Sequence, residues 1–97
     1  MSKPLTPEEI QAALGGLPGW KLSEDALAKT FAFASFKEAF SFMTRVAFEA
    51  ESMNHHPEWS NVYSKVTIRL STHDAGNKVT GLDADLARRI QKLSWTG

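Results

Sequence analysis

Three histidines are the side chains here best suited to move protons near neutral pH, since imidazole has an unperturbed pKa of about 6.5. Two are adjacent, in the stretch Glu51-Ser52-Met53-Asn54-His55-His56-Pro57, and the third is His73. Glu51 lies one helical turn before His55. Pro57 disfavours helical backbone at His56, so a helix arriving from the N-terminal side is expected to end here. That leaves the pair on an extended turn, where neighbouring side chains can converge. Three readings of the set stay open. Positioned imidazoles can act as general acid and base, each contributing roughly 10²–10⁴-fold. Three neutral imidazoles and a water can hold a catalytic zinc ion, although adjacent histidines reach one ion awkwardly and no pair is spaced i, i+4. Alternatively, the doublet is a helix end whose imidazolium complements the macrodipole. Nucleophilic catalysis is poorly served, for there is no cysteine, no Gly-x-Ser-x-Gly and no glycine-rich phosphate cradle.

Periodicity gives the elements that must position these residues. Thr6-Pro7-Glu8-Glu9 reads as a capped helix start, with Leu5 and Ile10 placed as a hydrophobic staple and Gly15-Gly16 as the stop. A short strand near 20–23 and a longer one near 26–33 form a hairpin about Ser23-Glu24-Asp25, with Lys29 the exception among its bulky apolar positions. From Ser35, helical spacing runs to Asn54. Phe36, Ala39, Phe40, Met43, Val46, Ala47, Ala50 and Met53 share its expected buried face, and Phe42 and Phe48 fall off it, broadening the stripe or marking a subunit contact. Residues 58–63 read as a strand, Ser64-Lys65 as a tight turn, and Val66, Ile68 and Leu70 as the buried side of a further strand that runs out at Thr72-His73. Thr80 and Asp83 start a last helix with Leu82, Leu86, Ile90 and Leu93 inward and Arg88, Arg89 and Lys92 outward. The expected fold class is therefore α+β. It is a two-layer sandwich in the order helix-hairpin-helix-hairpin-helix, its four-stranded antiparallel sheet covered by helices on one face.

Composition bounds the function. Ninety-seven residues make one expected domain, 1–97, with a modest core, so assembly as a homodimer or homotetramer is a natural supplement. Eleven basic and eleven acidic residues cancel, which argues against direct nucleic-acid binding. There is no long apolar run for a membrane and no basic-then-apolar leader, so a cytoplasmic location is expected.

Between Glu51 and Asp83 the chain resembles the signature of the pterin-4a-carbinolamine dehydratases. The pattern is Glu51, three residues, His55-His56-Pro57, five residues, Tyr63, nine residues, His73, nine residues, Asp83. His-His-Pro-Glu-Trp at 55–59, Asn61-Val62-Tyr63, Leu70-Ser71-Thr72-His73 and Thr80-x-x-Asp83-x-x-Leu86-Ala87 are also similar to family wording. Leu17-x-x-Trp20 and Phe31-x-Phe33-x-x-Phe36 agree less specifically. The resemblance implies a hydro-lyase that converts 4a-hydroxytetrahydrobiopterin to quinonoid dihydropterin and water, without metal or cofactor, in tetrahydrobiopterin recycling alongside an aromatic amino acid hydroxylase. It places His55, His56 and His73 around the pterin; we assign proton transfer to His55 and His73 and orientation to His56. It also implies pterin contacts at Asn54, Ser71, Thr72 and Asp74, although Asn54 stands where relatives often carry aspartate. Glu51 joins this set, orients His55 from one turn back, or is simply solvated. Asp83 reads as a cap partner for Thr80, and Trp59 and Tyr63 as sheet packing. Two other roles are open to relatives: stabilising a transcription factor's oligomer by binding one of its helices, and molybdopterin metabolism.

Overall fold

The structure, a computed structural model, describes residues 3–95; residues 1, 2, 96 and 97 of the expected domain lie outside the described residues. Helix α1, Pro7–Leu14, begins as its spacing predicts. The Thr6 hydroxyl accepts from the Glu9 backbone N–H at 3.1 Å, and the Glu9 carboxylate accepts from the Thr6 N–H at 2.8 Å. At eight residues it is too short to persist alone, and it docks through Ile10 and Ala13, with Leu17 buried just beyond its end.

Strands β1, Lys21–Ser23, and β2, Ala26–Ala32, form a hairpin in which Ser23 pairs with Ala26. Both turn residues, Glu24 and Asp25, are left-handed (φ 49° and 63°), which matches the twist of the strands they join. Helix α2, Phe36–Met53, follows Ser35, whose hydroxyl accepts from the Glu38 N–H at 3.2 Å. Strands β3, Glu58–Val62, and β4, Lys65–Leu70, form the second antiparallel pair. The turn is Tyr63-Ser64, one residue earlier than expected, because Val62 pairs with Lys65. A 3₁₀ turn, His73–Ala75, then leads to helix α3, Gly81–Leu93.

The sheet order is β1-β2-β4-β3 and every neighbouring pair is antiparallel. Leu27, Phe31, Val66, Ile68 and Leu70 form one core with Phe42, Val46 and Ala50 of α2 and Leu86, Ala87 and Ile90 of α3. The opposite face carries exposed polar groups such as the hydrogen-bonded hydroxyls of Thr30 and Thr67, 3.0 Å apart. Lys29 alternates onto the core side and survives there. Its ammonium donates to the Pro18 carbonyl at 2.8 Å and the Gln91 side-chain oxygen at 3.0 Å, and it sits 4.6 Å from the Phe31 ring centroid.

Three further expectations change. In α2 the inward stripe is Ala39, Phe42, Val46 and Ala50; Phe42 is fully buried, while Phe36 and Phe40, expected inside, are 53% and 57% exposed, and Ala47 is exposed too. The helix carries two apolar stripes, and the one with the more aromatic residues faces solvent. Tyr63 does not pack on the sheet: it is a turn residue with φ 52°, 83% exposed, whereas Trp59 is partly buried against the core. Leu82 opens α3 but is not a core residue; the buried side of that helix is Asp83, Ala84, Leu86, Ala87 and Ile90.

Candidate active site

Helix α2 ends at Asn54, which takes a left-handed conformation (φ 51°, ψ 42°). The Asn54 N–H returns to the Glu51 carbonyl and the His55 N–H to the Ala50 carbonyl, each at 3.0 Å. This paired closure satisfies the last carbonyls of the helix and reverses the chain, a conformation asparagine tolerates better than most residues. The reversal turns His55 inward and buried while His56 stays exposed.

Opposite the doublet, the end of β4, the 3₁₀ turn and the start of α3 complete a cleft of about 320 Å³. All three histidines line it, together with Asn54, Ser71, Thr72, Asp74 and Leu82. The antiparallel β3–β4 pair thus brings positions 55–56 and 73 to one rim.

Each imidazole has a different partner. Nε2 of His55 lies 2.6 Å from Oδ1 of Asp83, a carboxylate with no exposure to solvent. The other carboxylate oxygen accepts from the Thr72 hydroxyl and from the Thr80 backbone N–H, both at 2.8 Å. The Thr72 hydrogen being committed, the 2.7 Å contact between the two threonine hydroxyls must run from Thr80 to Thr72. Asp83 is therefore the cap partner of Thr80 that its spacing predicts and also the acceptor for His55. A carboxylate on Nε2 fixes that nitrogen as the protonated one, leaving Nδ1 of His55 for the cleft. Among the described residues no buried side-chain N or O atom lacks a partner.

His56 donates its Nε2–H to Oε1 of Glu51 at 2.8 Å. Glu51 thus orients His56, not His55, because the chain reversal at Asn54 turns His55 away from it. Nor does Glu51 line the histidine cleft. It lies behind it, on a neighbouring apolar groove of about 380 Å³ lined by Ala47, Phe48, Ala50, His56, Pro57 and Trp59. Nδ1 of His73 lies 3.2 Å from Oδ1 of Asn77, a residue that spacing did not single out. Thr72 reaches the cleft, yet its hydroxyl is spent on Asp83. Among the described residues, no three histidine, cysteine or acidic side chains are grouped to hold a metal ion, and no helix is long and apolar enough to cross a membrane.

A family model described as pterin 4 alpha carbinolamine dehydratase matches residues 3–93. A protein of Opitutus terrae, provisionally named a pterin-4-alpha-carbinolamine dehydratase, is 62% identical over 93 residues, 96% of each chain. One of Bradyrhizobium diazoefficiens with the same provisional name is 53% identical over 96 residues, covering 97% of this chain and 95% of its own. Among solved structures, a protein from Brucella melitensis described as a transcriptional coactivator/pterin dehydratase superposes with a TM-score of 0.90 at 39% identity, covering 98% of this chain and all of the other. A pterin dehydratase-like protein described as a RuBisCO assembly factor of the alpha-carboxysome shares the fold, with a TM-score of 0.64 at 23% identity over 80% of this chain and 89% of its own.

Proposed function

The chain belongs to the pterin 4 alpha carbinolamine dehydratase family, and from that premise we propose that it dehydrates a 4a-hydroxytetrahydropterin, of which 4a-hydroxytetrahydrobiopterin is the type, to quinonoid dihydropterin and water. The observation that carries this reading is a buried carboxylate, Asp83, set behind one of three imidazoles that share a cleft.

The chemistry needs one proton delivered and one removed. The bridgehead hydroxyl leaves as water once it receives a proton, the C4a–O bond breaking as the adjacent ring nitrogen, N5, shares its lone pair with C4a. The resulting cation becomes the neutral quinonoid product when a base takes the N5 proton. His55 is assigned the acid, because Asp83 on its far nitrogen holds the ring and balances the charge of the imidazolium that delivers the proton. His73, across the cleft, is assigned the base, and His56, held by Glu51, orients the pterin. Asn54, Ser71 and Asp74 supply further polar contacts. Thr72 acts indirectly, its hydroxyl donating to Asp83.

The test is to generate 4a-hydroxytetrahydropterin chemically and follow its dehydration by ultraviolet absorbance with chelator-treated protein. Acceleration over buffer, lost by about 10²-fold or more in both His55→Ala and His73→Ala, is expected. A folded protein that gives no acceleration would sink the proposal. A large loss in His56→Ala with pterin binding intact would instead reverse the division of labour.

A second reading has its own observation. Phe36, Phe40 and Phe48 leave an apolar face open on α2, Phe48 being 72% exposed. Such a face suits a second copy of this chain, giving a homodimer or homotetramer, or a helix of a partner protein. The Brucella melitensis protein is described as a transcriptional coactivator as well as a dehydratase. Partner binding of that kind would survive loss of the histidines.

A further inference from the structure

Of the three imidazoles, two rest on carboxylates and the third on an amide. The segment after β4 explains how. Thr72 bridges Lys78 across the loop, with the Thr72 N–H donating to the Lys78 carbonyl at 2.8 Å and the Asn77 N–H to the Thr72 carbonyl at 3.0 Å. Closing so small a ring takes two successive left-handed residues, Gly76 (φ 75°) and Asn77 (φ 61°). The loop is also tied to the β1–β2 turn by the Lys78–Asp25 ion pair at 2.9 Å. Asparagine is among the few side chains that tolerate this backbone, and here the same conformation returns its amide to the His73 ring.

The geometry points to Asn77 as a positioning residue for the proposed dehydration: its Oδ1 accepts Nδ1–H of His73 and so selects the tautomer whose Nε2 lone pair is free to take the substrate's proton. An unconstrained histidine side chain in water favours the opposite form, with the proton on Nε2, and that ring could not serve as base through the same nitrogen. The partner of one ring nitrogen decides which of the two carries the proton. The other charged groups about His73 are Asp74 beside it, His55 with Asp83 and His56 with Glu51 across the cleft, and the Lys78–Asp25 pair beyond the loop. Asn77 is the residue bonded to the ring itself.

This inference rests on the dehydratase reading, but its first readout does not. Long-range ¹H–¹⁵N spectra of the imidazoles in ¹⁵N-labelled protein, without substrate and with the rings neutral, report the tautomer directly. Wild type is expected to show His73 protonated at Nδ1. Asn77→Gly keeps the left-handed backbone and removes the acceptor. It is expected to move the proton to Nε2 and to lower kcat about tenfold with KM held. Asn77→Asp keeps an acceptor, and is expected to restore both the Nδ1–H signature and most of kcat. A wild-type ring protonated at Nε2, an unchanged tautomer in Asn77→Gly, or a shifted tautomer with kcat intact would each overturn the assignment. A wild type that dehydrates nothing brings down the dehydratase reading instead, while the spectra still decide what Asn77 does to the ring.

Discussion

Asp83 accepts three hydrogen bonds while wholly buried, so its removal strands three donors. Asp83→Ala should cost about 3–5 kcal/mol, a large part of what a domain of this size has, read as the drop in urea midpoint at constant slope. Asp83→Asn keeps the shape and loses the charge. It should keep most of the stability and lower kcat at least tenfold with little change in KM, since the ring loses its counter-charge. Asn54 poses the opposite case, a residue needed for its backbone. Asn54→Val, a β-branched side chain at φ 51°, should cost about 1–2 kcal/mol, and Asn54→Gly almost nothing. At this scale the sequence was readable in part. The histidine doublet, His73 and the Thr80–Asp83 cap follow from residue type and short spacing. The bond from Asp83 to His55 spans 28 positions, and the bond from Asn77 to His73 depends on a left-handed turn, so neither has a signature in local pattern.

Helix α2 shows what pattern cannot supply at the scale of an element. Both its stripes are apolar, and spacing alone cannot say which one a sheet will cover. Alanines at 39 and 50 flank Phe42 and Val46, and this is the stripe that the core encloses. Phe42→Ala should therefore cost about 3–5 kcal/mol in chemical denaturation, and Phe40→Ala within about 0.5 kcal/mol if the chain is measured as a monomer. The hairpin adds a pH-dependent term through Lys29. Desolvation by burial holds its ammonium below the ordinary 10.5. Between that lowered value and 10.5 the unfolded chain binds the proton more than the folded one, so stability rises with pH across this window. Lys29→Met should flatten the rise in paired urea titrations at mildly and strongly alkaline pH. Gly19 shares the constraint, since its φ is 82° and an added Cβ would lie 2.9 Å from the Lys29 side chain.

For the molecule as a whole, the apolar face of α2 is open and β3 is an edge strand of the sheet. If a second copy packs on α2, the double change Phe40→Ala, Phe48→Ala should halve or quarter the mass seen by sedimentation equilibrium and leave the histidine cleft able to turn over. The cleft itself has another dependence. Asp83 joins the end of α2, 28 positions before it, to the end of β4 and the start of α3. The ribosome delivers them in that order, and the histidines at 55, 56 and 73 all precede the carboxylate that one of them leans on. A growing chain thus carries all three imidazoles before the carboxylate that holds His55, and the cleft is complete only once α3 has docked. Assembly of the cleft therefore waits on the docking of α3, whichever of its other walls has already formed.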